Sequence, residues 1–124
     1  MQVIFTRHTL TAAQVANIDP RTAVDCSDLA RINITSMASA EEVTDQLLQR
    51  ITSMRHTETV NCYGVLPAPI RALLHQREIP RWNTGYGWFF NIYEAFNVSR
   101  SVEGEKPTSS FQGWLLTQTF EFNF

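Results

Sequence analysis

Lysine is almost missing from this chain. Of ten basic residues only Lys106 is a lysine; the other nine are arginines. Against twelve acidic residues this leaves a formal net charge of −2. Such a balance excludes the broad basic surface that a long nucleic acid requires. It leaves room for a small anion held by a few side chains, because the arginine fork matches two phosphate oxygens at once. GC-rich coding also produces this bias, so the arginines alone identify no ligand.

Cysteine is equally scarce. Cys26 and Cys62 both sit in apolar stretches, with no second ligand at metal spacing. They read as small core residues in a reducing compartment and not as a disulfide pair. The histidines, His8, His56 and His75, share no metal-type spacing, and no metal or other cofactor is expected. Long apolar runs are missing too. Met1–Phe5 is too short for a leader or a membrane span and is broken by Arg7 and His8. There is no internal repeat and no low-complexity linker. A cytoplasmic location away from membranes is the expectation.

What is present is enough for one domain, residues 1–124. Apolar residues make up 44% and charged residues 18%, the balance of an ordinary folded protein. Val3–Phe5 predicts a first strand buried on both faces. Thr11 with Gln14 forms a capping box for a helix that runs to Ile18 and stops before Asp19-Pro20. A second strand falls at Ala23–Cys26 or at Ala30–Ile34. Ser39 with Glu42 forms a second capping box. Val43, Leu47, Leu48, Ile51 and Met54 follow it at helical spacing. "TVNCYGV" (Thr59–Val65) predicts a strand. "LPAP" closes it, and "IRALLHQ" predicts a short helix with Pro69 preset in its first turn.

Beyond Pro80 the pattern changes. "WNTGYGW" is an aromatic, glycine-rich loop. "WFFNIYEAFNV" and "WLLTQTFEFNF" alternate with period two and predict a long antiparallel hairpin over about residues 86–124. In the second strand Leu116, Phe120, Phe122 and Phe124 share one face; Thr117, Thr119, Glu121 and Asn123 take the other. The order βαβαβα followed by ββ predicts an α/β fold, a small Rossmann-like parallel sheet with a C-terminal antiparallel β-hairpin extension.

Two loops carry chemistry. Thr6-Arg7-His8-Thr9 follows the first strand, and Gly64-Val65-Leu66-Pro67-Ala68-Pro69 follows the third. Both lie between a strand and a helix, so both fall on the sheet edge where ligands gather in parallel α/β folds. Helix N-termini there offer unpaired N–H groups to an anion. Arg7 adds a full charge. His8 can take or give a proton near neutrality. Gly64 lets the backbone come close, and Pro67 and Pro69 stiffen the second loop. Asn97, Ser99 and Arg100 could face a ligand from the hairpin. Trp82, Tyr86 and Trp88 could stack on a base, though core or a subunit interface is the plainer role. Taken singly, an arginine, a histidine and a proline turn have ordinary structural explanations. Their coincidence on one edge makes the site.

"VIFTRHTLT" resembles the arginine–histidine signature of the histidine phosphatases, with Thr9 where that family has glycine. That resemblance implies a phosphomonoesterase acting through His8. "FTRHTLTAAQVA" and "YGVLPAPIRALL" together resemble the small Rossmann-like ring nucleases of type III CRISPR systems. This second resemblance implies cyclic tetra-adenylate as ligand, a homodimer, and metal-independent phosphodiester cleavage by attack of a ribose 2′-hydroxyl. It implies Arg7 as the group that neutralises phosphate and His8 as acid or base. Thr6, Thr9, Gly64 and Pro67 would shape the pocket, with Val65, Leu66, Asn97 and Arg100 also against the ligand. Sequestration without cleavage, and a non-enzymatic interaction module built on the hairpin aromatics, stay open.

Overall fold

The long helix shows how the chain chooses its core. The computed structural model describes residues 1–19, 21–54, 59–79, 87–101, 103–106 and 108–123, apart from the side chains of Arg100 and Asn123. In α3 (Met37–Met54) the buried positions are Ala40, Val43, Thr44, Leu47 and Ile51, one stripe along the cylinder. Each fully buried leucine or isoleucine there contributes roughly 1.5–3 kcal/mol over an exposed one. The helix begins earlier than its Ser39–Glu42 pattern suggests. Ser36 and Ser39 cap it reciprocally: the Ser39 amide donates to Ser36 Oγ at 3.1 Å, and the Ser36 amide donates to Ser39 Oγ at 3.0 Å. A serine at the third helical position thus does the work expected of Glu42.

Five strands form one sheet in the order β2-β1-β3-β4-β5. They are β1 (Gln2–Ile4), β2 (Ala23–Asp25), β3 (Thr59–Tyr63), β4 (Gly87–Arg100) and β5 (Thr108–Asn123). Neighbours among β1 to β4 are parallel, and β5 returns antiparallel along β4. The remaining helices are α1 (Ala12–Val15), α2 (Ser27–Ala30) and α4 (Ala68–Arg77). The expected α/β sheet with its C-terminal hairpin is the fold observed.

One face of the sheet holds the core. Val3, Val60, Cys62, Phe90, Ile92 and Phe120 meet Leu29, Val43, Leu47, Ile51, Ile70 and Leu74 from α2, α3 and α4. The other face carries a polar row: Gln2, Asn61, Asn91 and Thr119 are paired in register. Asn91 Nδ2 donates to Asn61 Oδ1 at 3.1 Å, and Thr119 Oγ1 donates to Asn91 Oδ1 at 2.8 Å. Strands buried on both faces are therefore not what forms.

Two other expectations are corrected, and one alternative is settled. Thr11 and Gln14 do form a capping box, but α1 ends at Val15 and not near Ile18. None of its residues is buried, so no packing prolongs it. The second strand is the Ala23 option, and Ala30 lies instead in α2. In β5, register shifts leave Thr117 and Gln112 unpaired. The first shift turns Leu116 away from the core face of Phe120 and leaves it 54% exposed. Trp82, Tyr86, His56 and Phe124 lie outside the described residues; Trp88 is core. Arginine–aspartate pairs tie the helices together: Arg50 joins α3 to Asp28 in α2, and Arg77 joins α4 to Asp45 in α3.

Candidate functional site

Chain order turns at β1. The path runs from β1 outward to β2, then returns past β1 to β3 on its other side. In a parallel α/β sheet this reversal opens a crevice beyond the carboxyl ends of the two inner strands, because their connections leave on opposite faces. Thr6–Thr9 follows β1 and Gly64-Val65 follows β3, and here they come together. A notch of about 150 Å³ is lined by Thr6, Arg7, His8, Leu10, Gln14, Gly64, Val65, Ala95 and Trp114.

A short scaffold holds the first loop. The Thr6 amide donates to Ser27 Oγ at 3.3 Å, and Thr6 Oγ1 donates to the His8 carbonyl at 2.7 Å. Arg7 Nε donates to the Ala30 carbonyl at 2.9 Å. The terminal nitrogens of Arg7 keep no partner among the described residues and stay available to an anion. His8 is exposed, and its ring has no described partner. Ser27 and Ala30 belong to α2, whose amide at Ser27 is itself held by Asp25 Oδ1 at 2.9 Å. This buttress was not anticipated. Its only sequence signal is the Asp-Cys-Ser-Asp run at the end of β2.

The second loop works differently from the expectation. Gly64 has φ 145°, and a Cβ there would lie 1.7 Å from the Phe5 carbonyl oxygen. The glycine is thus required by the close approach of the chains leaving the parallel pair β1 and β3, whether or not a ligand is bound. Val65 is exposed beside the notch. Leu66 is buried in the core, and Pro67 is the residue that precedes α4. Neither lines the notch, so both leave the set of ligand-facing candidates. Asn97 and Arg100 lie on the outer half of β4, and Asn97 does not line the notch either.

Helix N-termini contribute less than foreseen. α1 has four residues, and Thr11 Oγ1 already accepts from the Gln14 amide at 3.3 Å. α4 lacks one N–H at Pro69, and Ala68 does not line the notch. Positive charge therefore comes from Arg7. Trp114 was also missed as a site residue. Its Nε1 donates to the Gln14 carbonyl at 3.0 Å, which pins α1 to the hairpin, and its ring meets Tyr63 edge-on at 5.1 Å.

A second notch of about 240 Å³ adjoins the first across His8 and shares Thr6, His8 and Leu10 with it. Thr9, Asp25, Ser27 and Arg31 complete its polar part. His8 thus stands on a ridge between two hollows, with Arg7 on one side and Arg31 on the other. No group of three histidine, cysteine, aspartate or glutamate side chains among the described residues could hold a metal ion. Cys26 and Cys62 are free and buried, and burial pushes both thiols up, away from the reactive thiolate form. No helix among the described residues is long and apolar enough to cross a membrane.

No protein-family model, curated protein or solved structure matches the chain.

Proposed function

We propose that the ridge at His8 binds and cleaves a phosphodiester linkage of a cyclic oligoadenylate, with cyclic tetra-adenylate as the first ligand to test. One observation carries the reading: Arg7, His8 and the Gly64 turn, far apart in sequence, border a single notch at the topological switch point. Two hollows meeting at His8 suit a linkage with a nucleoside on either side better than a terminal phosphate with one. Trp114 offers an aromatic surface on one side.

In this reaction the ribose 2′-oxygen attacks the adjacent phosphorus in line, and the bond from phosphorus to the 5′-oxygen breaks. The products are a 2′,3′-cyclic phosphate and a 5′-hydroxyl. The proton lost from the 2′-hydroxyl is matched by one gained at the leaving oxygen, and in this reading His8 moves it. Arg7 neutralises charge building on the phosphate oxygens. The chemistry depends on positioning, which the tethers at Thr6 and Arg7 supply. A rotationally symmetric ring would suit a homodimer, and a reducing, cytoplasmic setting accords with two free buried thiols.

A non-cleaving binder is the second reading. It is favoured by the His8 ring, which has no partner among the described residues, since an acid or base is normally oriented by a hydrogen-bond partner. Digestion of cyclic tetra-adenylate in the presence of EDTA separates the two. Linear products that vanish in His8→Ala, with ring binding largely retained, are the expected result. A mobility shift without products selects sequestration. Neither binding nor cleavage of the ring would end both readings. Arg7→Ala should weaken binding by roughly 1.5–3 kcal/mol, the scale of one charged hydrogen bond.

A further inference from the structure

The single turn of α2 supports both cations of the ridge. Arg7 Nε donates to the Ala30 carbonyl at 2.9 Å. Arg31 is the next residue, and its own amide closes the turn onto the Ser27 carbonyl at 3.2 Å. Leu29 and Ala30 are buried, and Asp28 is tied to Arg50, so the turn is a fixed base for both arginines. The two guanidiniums border different hollows, Arg7 the first and Arg31 the second. Arg50 and Arg77 end on aspartates. Arg31 is exposed, and its side chain has no partner among the described residues.

The second hollow holds more than a cation. Asp25 lines it beside Arg31, yet the two form no ion pair among the described residues. Asp25 Oδ1 accepts from the Ser27 amide at 2.9 Å, and Oδ2 has no described partner. Ile4, Leu10 and Val15 add apolar surface. A fork, an acceptor and an apolar wall suit the phosphate, the hydroxyl or amino donors and the ring of one nucleotide. A lone inorganic anion would use only the fork and would be repelled by Asp25.

We propose that Arg31 holds the phosphate next to the one at Arg7, with the nucleoside between them over the second hollow. The ligand that fills the site is then an oligonucleotide with two consecutive phosphodiesters. This rests on the reading of the ridge as a phosphodiester site. His8 separates the hollows, so the two forks take two phosphates and do not close on one.

Titration in the His8→Ala chain, where the ring stays intact, tests this. The probes are cyclic tetra-adenylate and the dinucleotide ApA, which has one linkage. Added Arg31→Gln should weaken ring binding roughly tenfold or more and leave ApA binding unchanged, whereas Arg7→Gln should weaken both. The slope of log affinity for the ring against log salt should become shallower by about 0.7 in Arg31→Gln, the step for one phosphate contact on a single strand. Arg31→Lys should restore that slope. The slope decides the matter should ApA bind too weakly to titrate. Unchanged ring affinity and slope in Arg31→Gln, with Arg7→Gln still impaired, would overturn the proposal and leave the phosphodiester reading standing. Equal losses for ApA and the ring would put both forks on one phosphate and overturn it as well. A ring that does not bind at all would end both.

Discussion

Gly64 shows how one residue can be essential for a reason other than the one its surroundings suggest. It sits in a loop beside the notch, where a glycine invites a ligand-based explanation. Its neighbour is the Phe5 backbone, and Phe5 N donates to the Tyr63 carbonyl at 3.0 Å where the parallel pairing of β1 and β3 ends. Gly64→Ala combines positive φ with a backbone collision. The strain at φ alone costs about 1–3 kcal/mol, and the collision adds to it. A urea titration should show this loss of stability with no ligand present, and an unchanged midpoint would return Gly64 to the ligand. Thr6 has a similarly internal role: its hydroxyl closes the loop onto the His8 carbonyl and does not point a free group at solvent. Of the residues that border the notch, Arg7 and His8 were legible because a cation and an imidazole at a strand end are chemically conspicuous. Ser27 and Trp114 were not, because nothing local marks a serine or tryptophan that will arrive from another element.

At the scale of elements, α2 is the part that pattern reading missed and the loop most needs. It is a single turn between β2 and α3, held to α3 by both bonds of the Arg50–Asp28 pair at 2.7 Å. The Arg50 hydrogen bond holds the Asp28 carboxyl below its usual range, with the attraction of the same guanidinium adding to it. A carboxyl whose folded pKa is depressed stabilises the fold above its unfolded pKa. That contribution is lost as pH falls through the folded value. The pair is solvent-exposed, with Asp28 at 59% side-chain exposure, so screening limits it to roughly 0.2–1 kcal/mol. Urea midpoints measured from neutral pH down into the acid range should fall less steeply for Asp28→Asn than for the native chain. Parallel curves would show that the pair contributes nothing to folding. The short α1 carries a related lesson. Its capping box was readable from four letters, but its length was not, because helix length beyond one turn is set by burial and α1 buries nothing.

The whole molecule is asymmetric about its sheet, and neighbouring aromatics report it. Phe90 is fully buried against the helices, whereas Phe89, on the other face, is 41% exposed. Phe90→Ala should cost about 3–5 kcal/mol, the range for deleting a core aromatic. Phe89→Ala should cost much less. Thermal melts of the two variants would compare them directly, and equal losses would mean that the second face is as well covered as the first. The same asymmetry explains the polar row on that face. Asn61, Asn91 and Thr119 can occupy neighbouring strands because they bond to one another, and Gln2 at the end of the row accepts from the Asp19 amide.

The order of the strands, the stripe of α3, the hairpin and the two loops of interest were determined by the sequence itself. Each depends on local periodicity or local turn chemistry, which neighbouring residues settle among themselves. Tertiary structure alone decided which sheet face is buried, where β5 slips its register, and which loop residues border the notch. A one-residue bulge moves Leu116 from one face to the other without leaving a local sign. Leu66 and Pro67 stand beside Val65 in the chain, but only Val65 lines the notch, because the start of α4 carries its neighbours into the core and the helix. Contacts between residues as distant as Gln14 and Trp114 depend on how whole elements pack, and packing is a property of the assembled sheet and helices.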